Sequence, residues 1–325
     1  MSALPSAPNS LSINQIAQEF GGDTPHAISE YYAGGSIVPA GTQGEGGGIA
    51  SSGSISIGDF FGSRQRVTIN LTISSNTQGY QISQQRGGTY EAGFTDIVLT
   101  NNAQVGSTAV GTAGIYTGTA PNYASGDTVK IINAGHIRGR GGNGGAGMAN
   151  NGTGVAAGQI AGDAIETTFP LTVVNNSGAK LLGGGGGGGG AGRGSTVQPG
   201  QPGNPPTQSG GKSQGQQPGQ PSNPPATQFF GGGGGGGGAG NQVGSGGAGG
   251  SSQGQAGQAG GADSGGGGGD TTGQTNPNGG AGGAVGAAGA AGQQGGAAGA
   301  AGHAIESNGN QITLQNSGQT AGATS

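Results

Sequence analysis

Apolar residues recur along this chain with changing period, and each period marks a different stretch. Near the start, Ile13, Ile16, Ala17 and Phe20 fall at i, i+3, i+4 and i+7, one face of a helix. Ser12 and Gln15 flank its first turn as a capping box, and Gly21-Gly22 stops it. Thr24-Pro25 reads as the cap and first position of a second helix, with Ile28, Tyr31 and Tyr32 on its apolar side and Gly34 at its end. The unit closes with the short alternating stretch SISIGDFFG, 54–62.

From residue 64 the period drops to two. Val67, Ile69, Leu71 and Ile73 alternate with Thr68, Asn70 and Thr72, which predicts a strand with one buried face. DIVLT (96–100) and TVKIIN (128–133) predict further strands, with turns at Arg86-Gly87-Gly88 and Asn101-Asn102. Tyr80, Tyr90, Phe94, Tyr116 and Tyr123 fall in this region as a modest core.

Beyond residue 136 most apolar side chains disappear. The chain has 87 Gly, 15 Pro and no Cys among its 325 residues; charged residues are 7% and the formal net charge is −4. Such Gly and Pro content marks low complexity, yet the low charge is unusual for a disordered chain. The mild acidity gives phosphate-backbone binding no electrostatic support. No apolar run approaches the roughly 20 residues of a transmembrane helix. The N-terminus lacks a signal-peptide pattern.

The glycine-rich region is organised. GDAIETTFPLTVVNNSG (162–178) and GHAIESNGNQITLQNSG (302–318) repeat each other, and VKIINAG (129–135) echoes their second half. Eight glycines follow Leu181-Leu182 and eight follow Phe229-Phe230. Elsewhere glycines keep a period of three: the non-glycines of 139–147 are Arg140, Asn143 and Ala146, and Gly286, Gly289, Gly292 and Gly295 repeat at the same interval. Three residues per turn is the period of a polyproline-II-type helix, which makes no internal hydrogen bonds and orders only beside neighbours.

On this reading the number of glycine faces reports position. Octaglycine is central, the 139–147 pattern lies further out, and GAAGAAG lies furthest. Phase slips at Gln293-Gln294 and near Ser251-Ser252-Gln253 predict chain reversals, and Leu181-Leu182 and Phe229-Phe230 are candidates to seat the two central runs on an apolar base. The Pro/Gln/Asn-rich stretch 198–228 reads either as an unstructured surface loop or as a polar recognition loop on a rigid scaffold. Strand polarity puts the reversals at 149–157 and 195–228 at one end; 270–278 is assignable to neither end.

Candidate chemistry is sparse. GRGGNG (139–144) matches G-x-G-x-x-G, but no helical pattern follows it, and in a chain this glycine-rich the match is expected by chance. GGKS (210–213) lacks the first glycine of a phosphate loop, where Pro206 stands. His26, His136 and His303 have no metal-site spacing. Glu166 and Glu306 are equivalent positions of the repeat and read as structural rather than catalytic. Neither a cofactor site nor a catalytic site is expected.

VKIINAGHIRGRGGNGGAG (129–147) and LTVVNNSGAKLLGGGGGGGGAG (171–192), followed by glycine blocks broken by polar loops, resemble the receptor-recognising adhesins at the long tail fibre tip of T-even-like phages. The likeness covers roughly 128–325. Residues 10–62 look like an N-terminal segment of assorted phage tail proteins and depart from the fibre-capping domain of those adhesins. The resemblance implies a polyglycine-II sandwich whose end loops contact the host surface, with candidate loops at 149–157, 195–228, 251–253, 262–264 and 293–295. Candidate receptor-binding residues there are Asn150, Asn151, Thr153, Gln198, Gln201, Asn204, Gln208, Gln217, Gln220, Asn223, Gln228, Gln253, Asp263, Gln293 and Gln294.

The expected fold is mostly irregular and β: a small helical N-terminal unit, short strands, then a polyglycine-II helix bundle. The expected organisation is a virion-attachment segment (1–62), a β-rich domain (64–135) and a glycine-rich tip (136–325). The expected function is that of a non-enzymatic phage tail fibre or tail tip adhesin, located in the virion. Its partners are a host outer-surface protein or glycan and, through the N-terminal segment, other virion tail proteins; nucleic acid binding and membrane insertion are not expected, and oligomeric state stays open. Two rival readings are a structural tail protein without a receptor role and an ice-binding polyglycine-II protein with an alanine stripe at 284–301.

Overall fold

Ser12 caps α1 (Ile13–Phe20) as its sequence dictates: its hydroxyl accepts the Gln15 amide at 3.3 Å, and the Gln15 side chain accepts the Ser12 amide at 2.9 Å. This computed structural model describes residues 3–119, 122–149, 155–192, 194–198, 226–230, 238, 240–250, 254–270 and 277–325. Ile16 and Phe20 on α1 join Leu4, Tyr31, Val38, Ile49 and Phe60 in a small core of their own, with Phe60 edge-on to both Phe20 and Tyr31. The predicted second helix contracts to one 3-10 turn, Ile28–Glu30. Tyr31 is drawn into the core and its hydroxyl donates to the Gly21 carbonyl at 3.1 Å, a tertiary contact that overrides the weak helical preference of a segment soon broken by Gly34-Gly35. The stretch 54–62 likewise forms a 3-10 turn, Ile57–Phe60, whose Asp59 carboxylate accepts the Ser56 amide at 2.8 Å. A two-stranded ribbon, β1 (Gln43–Gly44) and β2 (Gly47–Gly48), completes the unit.

The alternating stretches then build a stack of parallel strands with three faces. Its first turn is β3 (Val67–Ile73), β4 (Thr77–Gln78) and β5 (Tyr80–Gln81), followed by the short α2 (Ile82–Gln85). The second is β6 (Thr95–Asn101), β7 (Gln104–Gly106) and β8 (Ile115–Tyr116). The third is β9 (Thr128–Asn133), β10 (His136–Arg138) and β11 (Ile165–Glu166). The fourth holds β12 (Leu171–Asn175) and β13 (Lys180–Leu182), then a hairpin, β14 (Gly194–Gln198) with β15 (Ala226–Phe230), and β16 (Ile305–Glu306). The fifth holds β17 (Ile312–Asn316) and β18 (Gln319–Ala321), with Thr324 bridged to Ile305. Like positions stack: the faces read β17-β12-β9-β6-β3, β18-β13-β10-β7-β4 and β16-β11-β8-β5.

Each face turns its apolar residues inward. Ile97, Ile131 and Val173 meet Val105, Ile137 and Leu181 and also Ile115, Ile165 and Ile305 in one buried core. The repeat seen at 162–178 and 302–318 is thus two successive turns of one stack, paired Ile165↔Ile305 on one face and, shifted by one residue, Leu171↔Ile312 to Asn175↔Asn316 on the next. The boundary drawn at 135/136 runs through the middle of all three sheets, because strands on both sides of it share the same core.

Between β10 and β11, and again between β13 and β16, the chain leaves the stack as extended glycine-rich segments. These bond to one another through backbone amides. In sequence around the perimeter they are 139–147, 155–162, 296–303, 287–292, 277–283, 265–270, 254–261 and 242–250, the last returning to 139–147. Segment 183–192 lies inside, bonded to 139–147, 155–162, 296–303, 287–292 and 277–283. Burial follows glycine content: every residue of 183–192 is buried, 139–147 alternates buried with half-buried positions, and Ala287, Ala288, Ala290 and Ala291 are exposed. Of the second octaglycine, 231–238, only Gly238 is described; it is buried and bonded to Gly142 and Gly244.

Leu181 and Leu182 seat the first octaglycine on the core. Phe229-Phe230 does not play that part: it lies in β15, opposite Ser195 and Gly194, at the far end of segment 183–192. The reason is chain direction: the first octaglycine runs out from the stack, and β15 pairs with β14 where that segment ends.

Candidate receptor-binding end

The reversals gather at the end of the bundle remote from the stack. Met148 donates to the Ala191 carbonyl, Gly147 to Ala248, Gly192 to Gln293, Gln293 to Asn278 and Gln255 to Asp270, each at 2.9–3.0 Å. These bonds bring together the chain ends that lead into 149–155, 193–230, 249–254, 271–277 and 292–296. The segment 270–278, unassigned by sequence, is entered and left at this same end.

At the tightest reversal, Gly292 donates to Gly296 at 3.0 Å and Gln294 sits in the left-handed region with φ 49°. Gln293 and Gln294 are both exposed. The Gln293 side chain accepts the Asn278 amide at 3.1 Å, so it ties this turn to the neighbouring one. Gln198 and Gln228 lie in the hairpin, at the pairs Gln198↔Ala226 and Thr196↔Gln228. Asn150, Asn151, Thr153, Gln201, Asn204, Gln208, Gln217, Gln220, Asn223 and Gln253 lie outside the described residues.

The sequence reading missed the hairpin. Its signal is the run of β-branched and aromatic residues Thr196-Val197 and Thr227 to Phe230 on either side of the proline-rich stretch.

Asp263 is placed at the opposite end, against the stack. Its carboxylate lies 2.9 Å from Arg138 Nη1 and 3.9 Å from Lys180 Nζ, on β10 and β13. Reversal 262–264 is therefore a strap that fastens the bundle to the second face. The turn at 240–242 does likewise, through a bond from Gln104 Nε2 to Asn241 Oδ1 over the bare backbone of Gly106. Burial, together with the Arg138 and Lys180 charges, holds the nearby His136 below the ordinary imidazole value.

The described residues contain no group of His, Cys, Asp or Glu arranged to hold a metal ion, and no helix among them is long and apolar enough to cross a membrane. A cavity of about 520 Å³ opens where Ala40, Gly41 and Gln43 face Arg66, Phe94, Asp96 and Thr128, at the junction of the N-terminal unit with the stack. Arg66 and Asp96 there are already paired, Nε to Oδ2 at 2.8 Å.

Comparison with known proteins adds family membership to this geometry. Residues 66–229 match the family described as phage tail fibre adhesin Gp38. The crystal structure of the gp37-gp38 adhesin tip complex of the bacteriophage S16 long tail fibre is similar at 21% identity and a TM-score of 0.48, over 97% of this chain and 93% of that one. No curated protein matches. The family match spans half of the chain, and the chain belongs to the Gp38 family of phage tail fibre adhesins: a non-catalytic protein of the virion tail fibre.

Proposed function

We propose that this chain, a tail fibre adhesin of the Gp38 family, recognises the host surface with the loops at the remote end of its glycine bundle, and that the bundle is made of polyglycine-II helices. The second part is supported by the rotation of contacts along the first octaglycine. A side chain at Gly184, Gly187 or Gly190 would strike the carbonyls of Arg140, Asn143 and Ala146; at Gly185 or Gly188, those of Gly283 and Gly280; at Gly186 or Gly189, those of Gly299 and Gly296. Neighbours that recur every third residue, with no bond inside the run among the described residues, are the marks of that helix.

The observation that carries the functional part is the convergence of five reversals at one end, remote from the strands. A rigid scaffold that displays adaptable polar loops is the usual arrangement for recognition. Here the loops supply uncharged donors and acceptors: Asn150, Asn151, Thr153, the glutamines and asparagines of 198–228, Gln253, Gln293 and Gln294. The target is a host outer-surface protein or glycan. Residues 1–62 attach the chain to other tail components, 64–135 together with the strands of 165–182 and 305–321 form the base, and the glycine segments form the tip.

Adsorption of phage to host cells tests this. Replacing 198–228 by a neutral linker is expected to abolish or redirect adsorption, and purified chain is expected to block adsorption of wild-type phage. Asp263→Ala, at the other end, is expected to leave adsorption unchanged. Normal adsorption after loss of 198–228 would overturn the assignment of the tip; a chain that fails to block would favour a purely structural role.

A further inference from the structure

The first face of the stack carries a ladder of asparagines that ends on an unspent donor. Asn101 Nδ2 donates to Asn133 Oδ1 at 2.8 Å. Asn133 Nδ2 donates to Asn175 Oδ1 at 2.8 Å and to the Lys180 carbonyl at 3.1 Å. Asn175 Nδ2 donates to Asn316 Oδ1 at 2.8 Å and to the Gln319 carbonyl at 3.2 Å. In both of these last two steps, one amide reaches the next asparagine and the carbonyl a few residues past it.

Asn316 is the last rung. Its Oδ1 is used by Asn175 and by the Gly318 amide, but its Nδ2 has no partner among the described residues. It stands on β17, the outermost strand of its sheet. Leu171 donates to Gln311 and Ser317 donates to Asn175, so the odd-numbered residues face β12. In a parallel ladder the N–H and C=O of Ile312, Leu314 and Asn316 then point to the open side. Thr313, Gln315 and Asn316 are exposed along it, and none of them is charged.

An open edge of this kind is a template for another strand. A second copy of this chain fits poorly. Its outer strands on this face are β17, which would pair with its own copy antiparallel and so break the column of asparagines, and β3, where that column is occupied by Ile73, paired to Asn101. Head-to-tail stacking would lay Ile73 over Asn316 and leave the amide hydrogens unpaired.

We infer that the β17–β18 edge receives a parallel strand from a different protein, with alternating apolar residues followed by an asparagine in register with Asn316. The pattern is that of LTVVN (171–175) and ITLQN (312–316) in this chain. This docking surface is independent of the receptor loops.

The probe is a labelled peptide of sequence LTVVNNSGAKLL, residues 171–182, titrated into the full chain. Saturable binding is expected. It should weaken by about tenfold when the peptide carries N175L, or when the chain carries Asn316→Asp, which keeps the acceptor of the ladder and removes its donor. Leu314→Pro deletes an outward N–H and should abolish binding while sparing the bonds to β12. Thermal unfolding of both variants verifies that the fold is intact; Asn316→Asp retains both bonds that Asn316 accepts. Absence of saturable binding, or equal binding to wild type, Asn316→Asp and Leu314→Pro, would overturn the inference. Concentration-dependent self-association that Leu314→Pro removes would also overturn it, by making the occupant a second copy.

Discussion

The stack of strands and the bundle of glycine segments are threaded alternately by one chain, yet they are held together by opposite means. Inside the stack, Ile97, Ile131, Ile137, Leu181 and Ile305 are fully buried. Each such side chain contributes roughly 1.5–3 kcal/mol on leaving water. Inside the bundle, residues 183–190 have no side chain to bury. A net backbone hydrogen bond returns only about 0.5–1.5 kcal/mol, against about 1–2 kcal/mol to order a residue. The bundle therefore stands only when many segments close around each other at once. Leu181 and Leu182, at the foot of segment 183–192, are where the self-sufficient part lends its order to the dependent one.

The sharpest way to break this contrast is to add side chains where the bundle has none. A Cβ on Gly187 would overlap the Asn143 carbonyl, which is held by the Gln159 amide and cannot retreat. Gly187→Leu is expected to cost more than about 4 kcal/mol. It should strip amide-exchange protection from 183–192 while leaving that of β6, β9 and β12. Ala287 lies on the perimeter with its side chain exposed, and Ala287→Ser should change stability by less than about 0.5 kcal/mol. Equal effects at the two sites would mean that bare backbone is not what lets the segments pack.

The converse change, in the stack, ranks second. Ile131 is fully buried, on the central strand of the first face. Ile131→Ala should cost about 2–5 kcal/mol. Because the bundle leans on the stack, this variant should lower protection in both regions together, whereas Gly187→Leu should lower it in one. Exchange measured on the two variants side by side distinguishes dependence in one direction from mutual dependence.

How much of this was legible follows from the same contrast. Period two at Val67–Ile73 and the recurrence of 162–178 at 302–318 are carried by side chains, so the strands could be read off. Their parallel stacking could not: Ile165 and Ile305 are separated by the whole excursion through the bundle, and nothing local in either says that they pair. Within the glycine segments the period of three and the slip at Gln293-Gln294 were readable, because glycine is required where backbones meet. Direction was less so. Asp263 reads as a loop residue like any other, and only the Arg138 and Lys180 charges waiting on the second face show it to be a strap. Phe229-Phe230 mimics Leu181-Leu182 in sequence but stands at the opposite end, since an apolar pair before a glycine run does not say at which end of the bundle it lies.

The smallest effect expected concerns the seam between the two regions. Asp163 leads from the bundle into β11, and its Oδ1 accepts the His303 amide at 2.6 Å and lies 3.1 Å from His303 Nδ1. Glu306 Oε2 is 2.8 Å from the same imidazole nitrogen. Burial pushes the Asp163 carboxyl above the ordinary carboxylate value; the bonds from His303 oppose this but do not outweigh it, and the Glu306 charge adds to it. A carboxyl raised in the folded state binds its proton more tightly there than in the unfolded chain. Its ionisation therefore works against folding: stability from this group falls as pH rises from the unfolded value through the folded one, and the penalty is fully present above the folded value. Asp163→Asn keeps an acceptor for the His303 amide and removes the charge. The variant should be slightly more stable than wild type at pH 7, and the gain should vanish as acid protonates Asp163 in the wild type. Thermal unfolding across pH 3–8 checks this; a variant less stable at pH 7 would show instead that the carboxylate holds the seam closed through His303.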